Sequence, residues 1–431
     1  MPQPLFNGKE RYHLANELHS RPFPFLEAPC RAVYFAIRPD DAEKRDLTED
    51  RAHLADLIDR FGGAHPSPDA AFYSGELGRF HLKWEAHTEF VAYTLFLPGN
   101  CEIAFNGDAL TAFPEDWLAA LKGKAVAAAQ VHVEIAHSEA HAETLYQERL
   151  YRHFVSESLA TAFVVDREAL VASDFRLHED GFARIGVVAI EGIGPRRLGR
   201  IVQRLLEVES YKSTALMTLP VARSTARKVT EMDDRLAELI GSVAEGADQA
   251  RGTLDALTRL SADVEQLSTE TAFRFGAAGA YEAIVNDRII ALREERVSGR
   301  QLYSEFMKRR FDPAMRTCRS AERRLAELSD RLARASALLS TRVNVAVEAQ
   351  NQTLLESMDK RADLQLRLQQ TVEGLSVVAI SYYALNLAAA ILAPLTGTAG
   401  VDKSTTTALL ALPVIGAVWW AVRRIRKRWE K

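Results

Sequence analysis

The feature that most constrains this chain is a pair of long uncharged stretches near its C-terminus. The first, Gly374 to Val401, is rich in Leu, Val, Ile and Ala, and the second runs from Ser404 to Val422. A helix rises about 1.5 Å per residue, so each stretch can cross a hydrocarbon core of roughly 30 Å. The polar residues Asp402 and Lys403 between them favour a reversal of the chain. The sequence therefore predicts a two-helix transmembrane hairpin over residues 371–431.

Basic and aromatic residues after the second stretch predict the orientation of the hairpin. The basic cluster consists of Arg423, Arg424, Arg426, Lys427 and Arg428. Lys and Arg concentrate on the cytoplasmic side of bacterial inner (plasma) membranes, and Trp419 and Trp420 suit the membrane interface. We therefore expect two crossings with both termini in the cytoplasm and membrane lipid as a partner. The alternative is a hydrophobic hairpin buried in a soluble domain, which would rarely remain uncharged for so long.

Heptad-like spacing upstream of the hairpin predicts a coiled-coil stalk over residues 192–370. Apolar residues advance by three and four from Val229 to Val243, resume from Ala250 to Val264, and form another seam from Ala321 to Leu339. Proline is absent between Pro313 and Pro394, so one helix on the order of 100 Å or longer could lead into the membrane. The pattern predicts antiparallel stalk helices and a homo-oligomer.

Residues 1–191 are predicted to form a mixed α/β cytoplasmic domain, so that the whole chain belongs to the α+β class. The strand-like segments are Ala32–Ile37, two strands within Leu77–Phe96, Val126–Ile135, Ala160–Val165 and Ala183–Ile190. The helical segments are Lys9–His19, Leu47–Phe61, Pro114–Leu121 and Ser138–His153. This domain is expected to stay in the cytoplasm, because no apolar signal segment precedes it.

Composition and motifs argue against several classes of function. A formal net charge of -4 gives no basic surface for nucleic acid. The cysteines Cys30, Cys101 and Cys318 have no CxxC spacing, so they suggest neither a disulfide framework nor a zinc knuckle. Neither a Gly-x-Ser-x-Gly motif nor a cysteine with an evident histidine partner is present. We therefore expect no enzyme and no organic cofactor, with a divalent cation as the one ligand that remains open.

One group of side chains before the stalk has ligands that suit such a cation. Glu85, His87 and Glu89 would share a face if their segment were one strand, and imidazole with carboxylates can hold a divalent ion. A solvated or inter-strand polar face is the more frequent outcome of this alternation.

Polar residues also interrupt the first membrane stretch. Tyr382, Tyr383 and Asn386 lie within it. An amide in hydrocarbon requires a hydrogen-bonding partner, so these residues are predicted to contact another helix or to line a pore.

Four runs of sequence carry a resemblance to a known family: Ala15–Phe23, Lys83–Phe90, Leu205–Tyr211 and Val372–Val377. Together they resemble a bacterial family of membrane-anchored proteins known as domain of unknown function 3422. The resemblance covers essentially the whole chain. It implies a membrane anchor and supplies no catalytic residues.

The order of parts also resembles that of CorA-type magnesium channels. Tyr383-Ala384-Leu385-Asn386 keeps the tyrosine and asparagine of the channel signature and lacks its glycine and methionine. This likeness implies an oligomeric channel or transporter for a divalent cation. The alternative is a membrane-tethered scaffold that binds cytoplasmic proteins through its stalk, and a third reading is a metal-dependent hydrolase built on Glu85 and His87.

Overall fold

The structure is a computed structural model that describes Arg11 and residues 22–40, 45–99, 103–105, 107–242, 247–397 and 403–429. Its contacts divide the chain into two compact units. One unit contains the chain up to Ser242 together with Asp255–Ala335, and the other contains Val243–Leu254 and Ser336–Lys431. The proposed helix at Lys9–His19, apart from Arg11, and the proposed reversal at Asp402 lie outside the described residues. The domain limits proposed at residues 191 and 370 stay predictions.

The first unit is built on a nine-stranded mixed sheet. Its strands are β1 (Cys30–Arg38), β2 (Phe72–Leu77), β3 (Phe80–Ala86), β4 (Val91–Pro98), β5 (Lys124–Ala136), β6 (Ala160–Val164), β7 (Ala169–Leu177), β8 (Ala183–Ile190) and β9 (Glu295–Arg296). They lie in the order β2-β3-β4-β1-β5-β8-β7-β6-β9. β5 and β8 pair in parallel, and the other neighbouring strands pair antiparallel.

The helices fall into a short set around the sheet and a long set after it. The short helices are α1 (Leu47–Phe61), α2 (Glu115–Ala119) and α3 (Glu139–Leu145), and α3 continues into a π-helical turn at Tyr146–Leu150. The long helices are α4 (Pro195–Leu216), α5 (Thr218–Ser242), α6 (Ala247–Leu292), α7 (Tyr303–Gly397) and α8 (Lys403–Trp429). A mixed α+β fold with long C-terminal helices is thus confirmed.

Both faces of the sheet are covered, and this decides where polar residues can lie. Along β1, Tyr34 packs in the core that contains Leu205 and Leu206 of α4, whereas Phe35 packs in the core that contains Leu54 and Trp117. Successive side chains of a strand point to opposite faces. β1 therefore has no solvated face, whereas the edge strand β2 keeps Ser74 and Glu76 exposed.

Helices α5, α6 and α7 pack side by side in the first unit. Arg324 donates to Thr230 over 3.0 Å and Arg331 pairs with Asp233, so α5 and α7 run in the same direction. The pairing of Arg319 with Glu282 fits an α6 that runs the opposite way. The seam residues Val229, Leu236, Leu257, Val264, Leu325, Leu328 and Leu332 are buried. Coiled-coil geometry along these helices stays a prediction.

Gly199 marks a close approach between α4 and the segment before β1. A Cβ at this position would lie 1.7 Å from the carbonyl oxygen of Pro24, in a segment where the Leu26 amide donates to the Pro195 carbonyl over 3.2 Å. We expect Gly199→Ala to lower the free energy of unfolding by about 1–3 kcal/mol, measured by chemical denaturation. Gly241→Ala is the matched control, because a Cβ at that position meets nothing within 4 Å. The added methyl group lowers the conformational entropy of the unfolded chain, so this variant should not lose stability. Equal effects at both positions would contradict the close approach.

Candidate functional site

Helix α4 carries polar side chains on the side that faces the sheet. Gln203, Glu207, Ser210 and Tyr211 recur at intervals of three and four residues, so they share one side of the helix. They line one small cavity together with Tyr34 of β1 and with Lys83, Glu85 and His87. We call this group the α4 polar network.

Lys83 is the centre of the α4 polar network. Its side chain is only 3% exposed, and its Nζ lies 2.8 Å from Oε1 of Gln203 and 3.0 Å from Oε2 of Glu85. Gln203 in turn donates to Glu207 over 2.7 Å, and Arg288 of α6 pairs with the same carboxylate. A buried ammonium is tolerated only when it is paired and hydrogen-bonded. The network therefore binds β3, α4 and α6 together.

The turn between β3 and β4 makes a second set of contacts with α4 and α6. The Tyr211 hydroxyl lies 3.3 Å from Nδ1 of His87. Oε1 of Glu89 accepts hydrogen bonds from Arg274 over 2.6 Å and from the Tyr281 hydroxyl over 2.8 Å. Because Arg274 and Tyr281 belong to α6, the turn is held against that helix by an ion pair and a phenol.

Burial disfavours ionisation of the phenols of Tyr34 and Tyr281 and of the Cys30 thiol. Burial raises the pKa of Tyr34, and burial together with the hydrogen bond to Glu89 raises the pKa of Tyr281. Burial also raises the pKa of the Cys30 thiol to about 12. These groups act as hydrogen-bond donors and packing residues at neutral pH, since their ionised forms are disfavoured.

The three proposed cation ligands are not arranged as the sequence suggested. β3 ends at Ala86, so the expectation that His87 and Glu89 continue one strand face is wrong. Glu85 and Glu89 already pair with Lys83 and Arg274. Among the residues that the structure describes, no three His, Cys, Asp or Glu side chains form a group that could hold a metal ion. Cation binding at Glu85, His87 and Glu89 stays a prediction.

Two cavities of the first unit differ in what they could admit. The cavity of the α4 polar network measures about 20 Å³, which is enough for about one water molecule. A second, open cavity of about 360 Å³ lies between α1 and β4 and is lined by His53, Tyr93 and Lys122 among others. Its size falls within the range of about 300–1,000 Å³ typical of small-molecule sites. Burial lowers the pKa of His53, which stacks 4.2 Å from Trp117.

A further charged cluster lies on β5. Nε2 of His132 is 2.9 Å from Oε1 of Glu134, both side chains are at most 4% exposed, and Arg149 lies 3.1 Å from the same carboxylate. Nearby, burial and the charges of Arg152 and Arg184 lower the pKa of His153 to about 4. His132 and Glu134 form a second buried polar pair on the sheet.

The second unit contains the apolar helices. α7 and α8 each contain a segment that is long and apolar enough to cross a membrane. Within the chain, 6% of the segment in α7 is buried and 0% of the segment in α8. Core helices of soluble proteins can be equally long and apolar, but they are mostly buried. Low burial of such helices is what a lipid-facing hairpin requires.

The two sides of the apolar part of α7 differ in burial. Tyr382 is 65% exposed, Tyr383 is 73% exposed, and Asn386 is exposed as well. Ser381 is buried and Ala384 and Ala388 are half-buried. The proposed contact residues Tyr382, Tyr383 and Asn386 therefore lie away from the side that packs within the chain.

Aromatic and basic residues alternate by one helical turn at the end of α8. The guanidinium of Arg423 lies 4.8 Å from the Trp419 ring centroid, and that of Arg424 lies 4.9 Å from the Trp420 ring centroid. Such cation–π pairs suit an interfacial position, where one end of the side chain is apolar and the other is wet. The side chains of Arg426, Lys427 and Arg428 lie outside the described residues.

Comparison with models of protein families identifies the family of this chain. The model of a family described as protein of unknown function (DUF3422) matches residues 7–429. The chain belongs to this family. A search of the curated proteins and a search of the solved structures found no match. The likeness to CorA-type channels therefore rests on the order of parts alone.

The sequence of this DUF3422 protein contains one signal for the α4 polar network. Gln203, Glu207 and Ser210 fall at helical spacing among apolar residues of α4 that are buried. Polar residues on the apolar side of a helix require partners when buried. The partners Lys83 and Glu85 are not recoverable from spacing, since Lys83 and Gln203 are 120 positions apart.

Proposed function

We propose that this DUF3422 protein is a membrane-tethered interaction protein without enzymatic activity. Its two apolar helices cross the bacterial inner membrane and hold the sheet unit in the cytoplasm, where it binds protein partners. The single observation that carries the proposal is the exposure of α7 and α8: Leu387 is 65% exposed, Leu409 is 79% exposed and Leu412 is 81% exposed. Exposed apolar surface of this extent marks a membrane or a partner surface.

The α4 polar network supports a structural role for its side chains rather than a catalytic one. The charged members of the α4 polar network, Lys83, Glu85 and Glu207, are each paired with another charged or amide side chain. Their cavity has room for about one water. Such a network stabilises one arrangement of β3, α4 and α6 and leaves no space for a substrate.

Membrane retention tests the tether. Alkaline washing of membranes removes peripheral proteins and leaves integral ones in place. The intact chain should remain in the pellet after this wash. Recovery in the supernatant would show that the apolar helices are covered by protein rather than by lipid.

A divalent-cation channel is the second candidate, and Asn386 favours it. Asn386 and Tyr383 are exposed polar residues in an apolar segment, and they could face a path shared by several copies. Under this reading purified protein in liposomes should conduct Mg²⁺ or Zn²⁺ along a gradient, and Asn386→Leu should abolish the flux. A protein without flux under either gradient leaves the tether as the function.

A further inference from the structure

Residues 344–372 of α7 are exposed on every side, and along one side this exposure continues into the apolar part of the helix. Positions at alternating intervals of four and three residues start at Leu354 and end at Asn386, and all are exposed. In heptad notation the d positions are Leu354, Arg361, Leu368, Leu375 and Tyr382. The a positions are Met358, Gln365, Val372, Ala379 and Asn386. We call this set the exposed stripe.

Charged residues are nearly absent from the exposed stripe and from its borders. Between Leu354 and Leu375, the charged residues other than Arg361 fall at b, c and f positions: Glu356, Asp359, Lys360, Asp363, Arg367 and Glu373. No e or g position in this interval carries a charge. A helix in contact with water on all sides has no reason to segregate its charges in this way.

The opposite side of the apolar segment is already in use. Val377, Ser381, Ala384 and Ala388 are buried or half-buried at intervals of three and four residues. On α8, the half-buried positions Val414, Val418 and Val422 recur at intervals of four, which gives that helix one packed side as well. The pairing within one chain therefore leaves the exposed stripe free.

We propose that a second copy of this chain covers the exposed stripe in a parallel, in-register, two-stranded coiled coil. This inference rests on the proposed membrane crossing, because the stripe passes from the charged part of α7 into the uncharged part without a break. A water-soluble partner cannot follow it beyond the membrane surface. A second copy inserts with the same orientation and follows the same path, which makes the pairing parallel and aligns each residue with its own counterpart.

The area of the exposed stripe is sufficient for a stable pair. Its large apolar side chains are between 54% and 74% exposed: Leu354, Met358, Leu368, Val372, Leu375 and Tyr382. Each such side chain removes on the order of 60–120 Å² from solvent when buried. Two copies together with the flanking e and g residues therefore reach the range of about 1,200–2,000 Å² found for specific interfaces.

The polar members of the exposed stripe select this arrangement. An asparagine at an a position favours a parallel two-stranded pair in one register, because its amide must meet the amide of the partner. In hydrocarbon Asn386 has the same requirement, and the small residue Ala379 lets the two helices approach. Arg361 is the one charged member and opposes association, since two guanidinium groups at one d layer repel each other.

Cysteine crosslinking in isolated membranes tests the pair with the full chain. Leu368→Cys places a thiol at a d position, and Leu366→Cys is the matched control, an exposed leucine two residues away at a b position. A disulfide requires Cα atoms within about 7 Å, which only an in-register parallel pair provides at d. Mild oxidation should give several times more covalent pair, twice the 47.9 kDa of the chain, from Leu368→Cys than from Leu366→Cys. The parent protein measures any reaction of its own cysteines.

The outcomes separate this inference from the proposed function. Equal yields at the two positions, a higher yield at Leu366→Cys, or a detergent-solubilised particle of more than two chains would overturn the pair. Loss of the protein from washed membranes would instead count against the membrane crossing.

A substitution that strengthens the pair gives a second test without risk to folding. Arg361→Leu should lower the concentration at which the detergent-solubilised pair half-dissociates by tenfold or more, because it removes repulsion and extends the apolar layer. Lys360→Leu, at a neighbouring c position, should change that concentration by less than twofold. A weaker or unchanged pair in Arg361→Leu would overturn the register.

Discussion

Replacing Lys83 by methionine should lower the free energy of unfolding of the first unit by about 3–5 kcal/mol. Lys83 is 3% exposed and lies 3.0 Å from Glu85, whose side chain is 12% exposed. Methionine fills the space of the lysine stem but leaves a buried carboxylate without its cation. Gln203 loses the donor at 2.8 Å at the same time. A loss of this size approaches the whole stability of many domains, which is about 5–15 kcal/mol.

Chemical denaturation of the purified protein, followed by a probe in the first unit, measures this loss of unfolding free energy. Lys122→Met is the matched control, because Lys122 pairs with Glu49 while 73% exposed, and an exposed pair is worth about 0–1 kcal/mol. The double variant Lys83→Met with Glu85→Gln should recover part of the loss, since no unpaired charge then remains. Equal losses for Lys83→Met and Lys122→Met would contradict the buried position of Lys83.

Elements with strong local signals were predictable from the sequence. The predicted helix Leu47–Phe61 coincides with α1, because Asp46 caps its start by accepting from the Thr48 amide and Gly62 ends it with a positive φ of 69°. The predicted strands at β1, β5 and β8 lie in the middle of the sheet. The continuous apolar run Ala32–Ile37 of β1 is what burial on both faces requires, whereas β5 also contains the buried polar residues His132 and Glu134.

Elements and contacts that depend on distant residues were not predictable. β9 contains only Glu295 and Arg296, and its pairing with β6 has no local signal in two residues. The polar face predicted at Glu85 was expected to be solvated or to lie between strands, but Lys83 and Glu85 lie against Gln203 and Glu207 of α4. The tendency of a strand to alternate is local, whereas the helix that packs on it is placed by the whole fold.

Removing the apolar end of the chain should release the protein from the membrane. A chain that ends at Gln370 keeps the sheet and α6 and loses the exposed apolar residues between Leu375 and Ile425. Leaving those side chains in water would cost on the order of 20 kcal/mol, which exceeds the stability of a typical domain. The intact protein is therefore expected in the washed pellet and the shortened protein in the supernatant after cell breakage.

Restoring a membrane segment of unrelated sequence separates anchoring from a specific role of the hairpin. A chain in which residues 371–431 are replaced by an unrelated two-helix hairpin with a basic cytoplasmic end should return to the pellet, because insertion depends on apolar length and on the basic flank. If the protein is a membrane tether, this chimera should keep its binding partners. If the protein is a cation channel, the chimera should lose its cation flux, because it lacks Tyr383 and Asn386. A shortened chain that stays in the washed pellet would mean that the sheet unit or the stalk binds the membrane by itself. The membrane contact would then have to be sought in the part of the chain before Gln370.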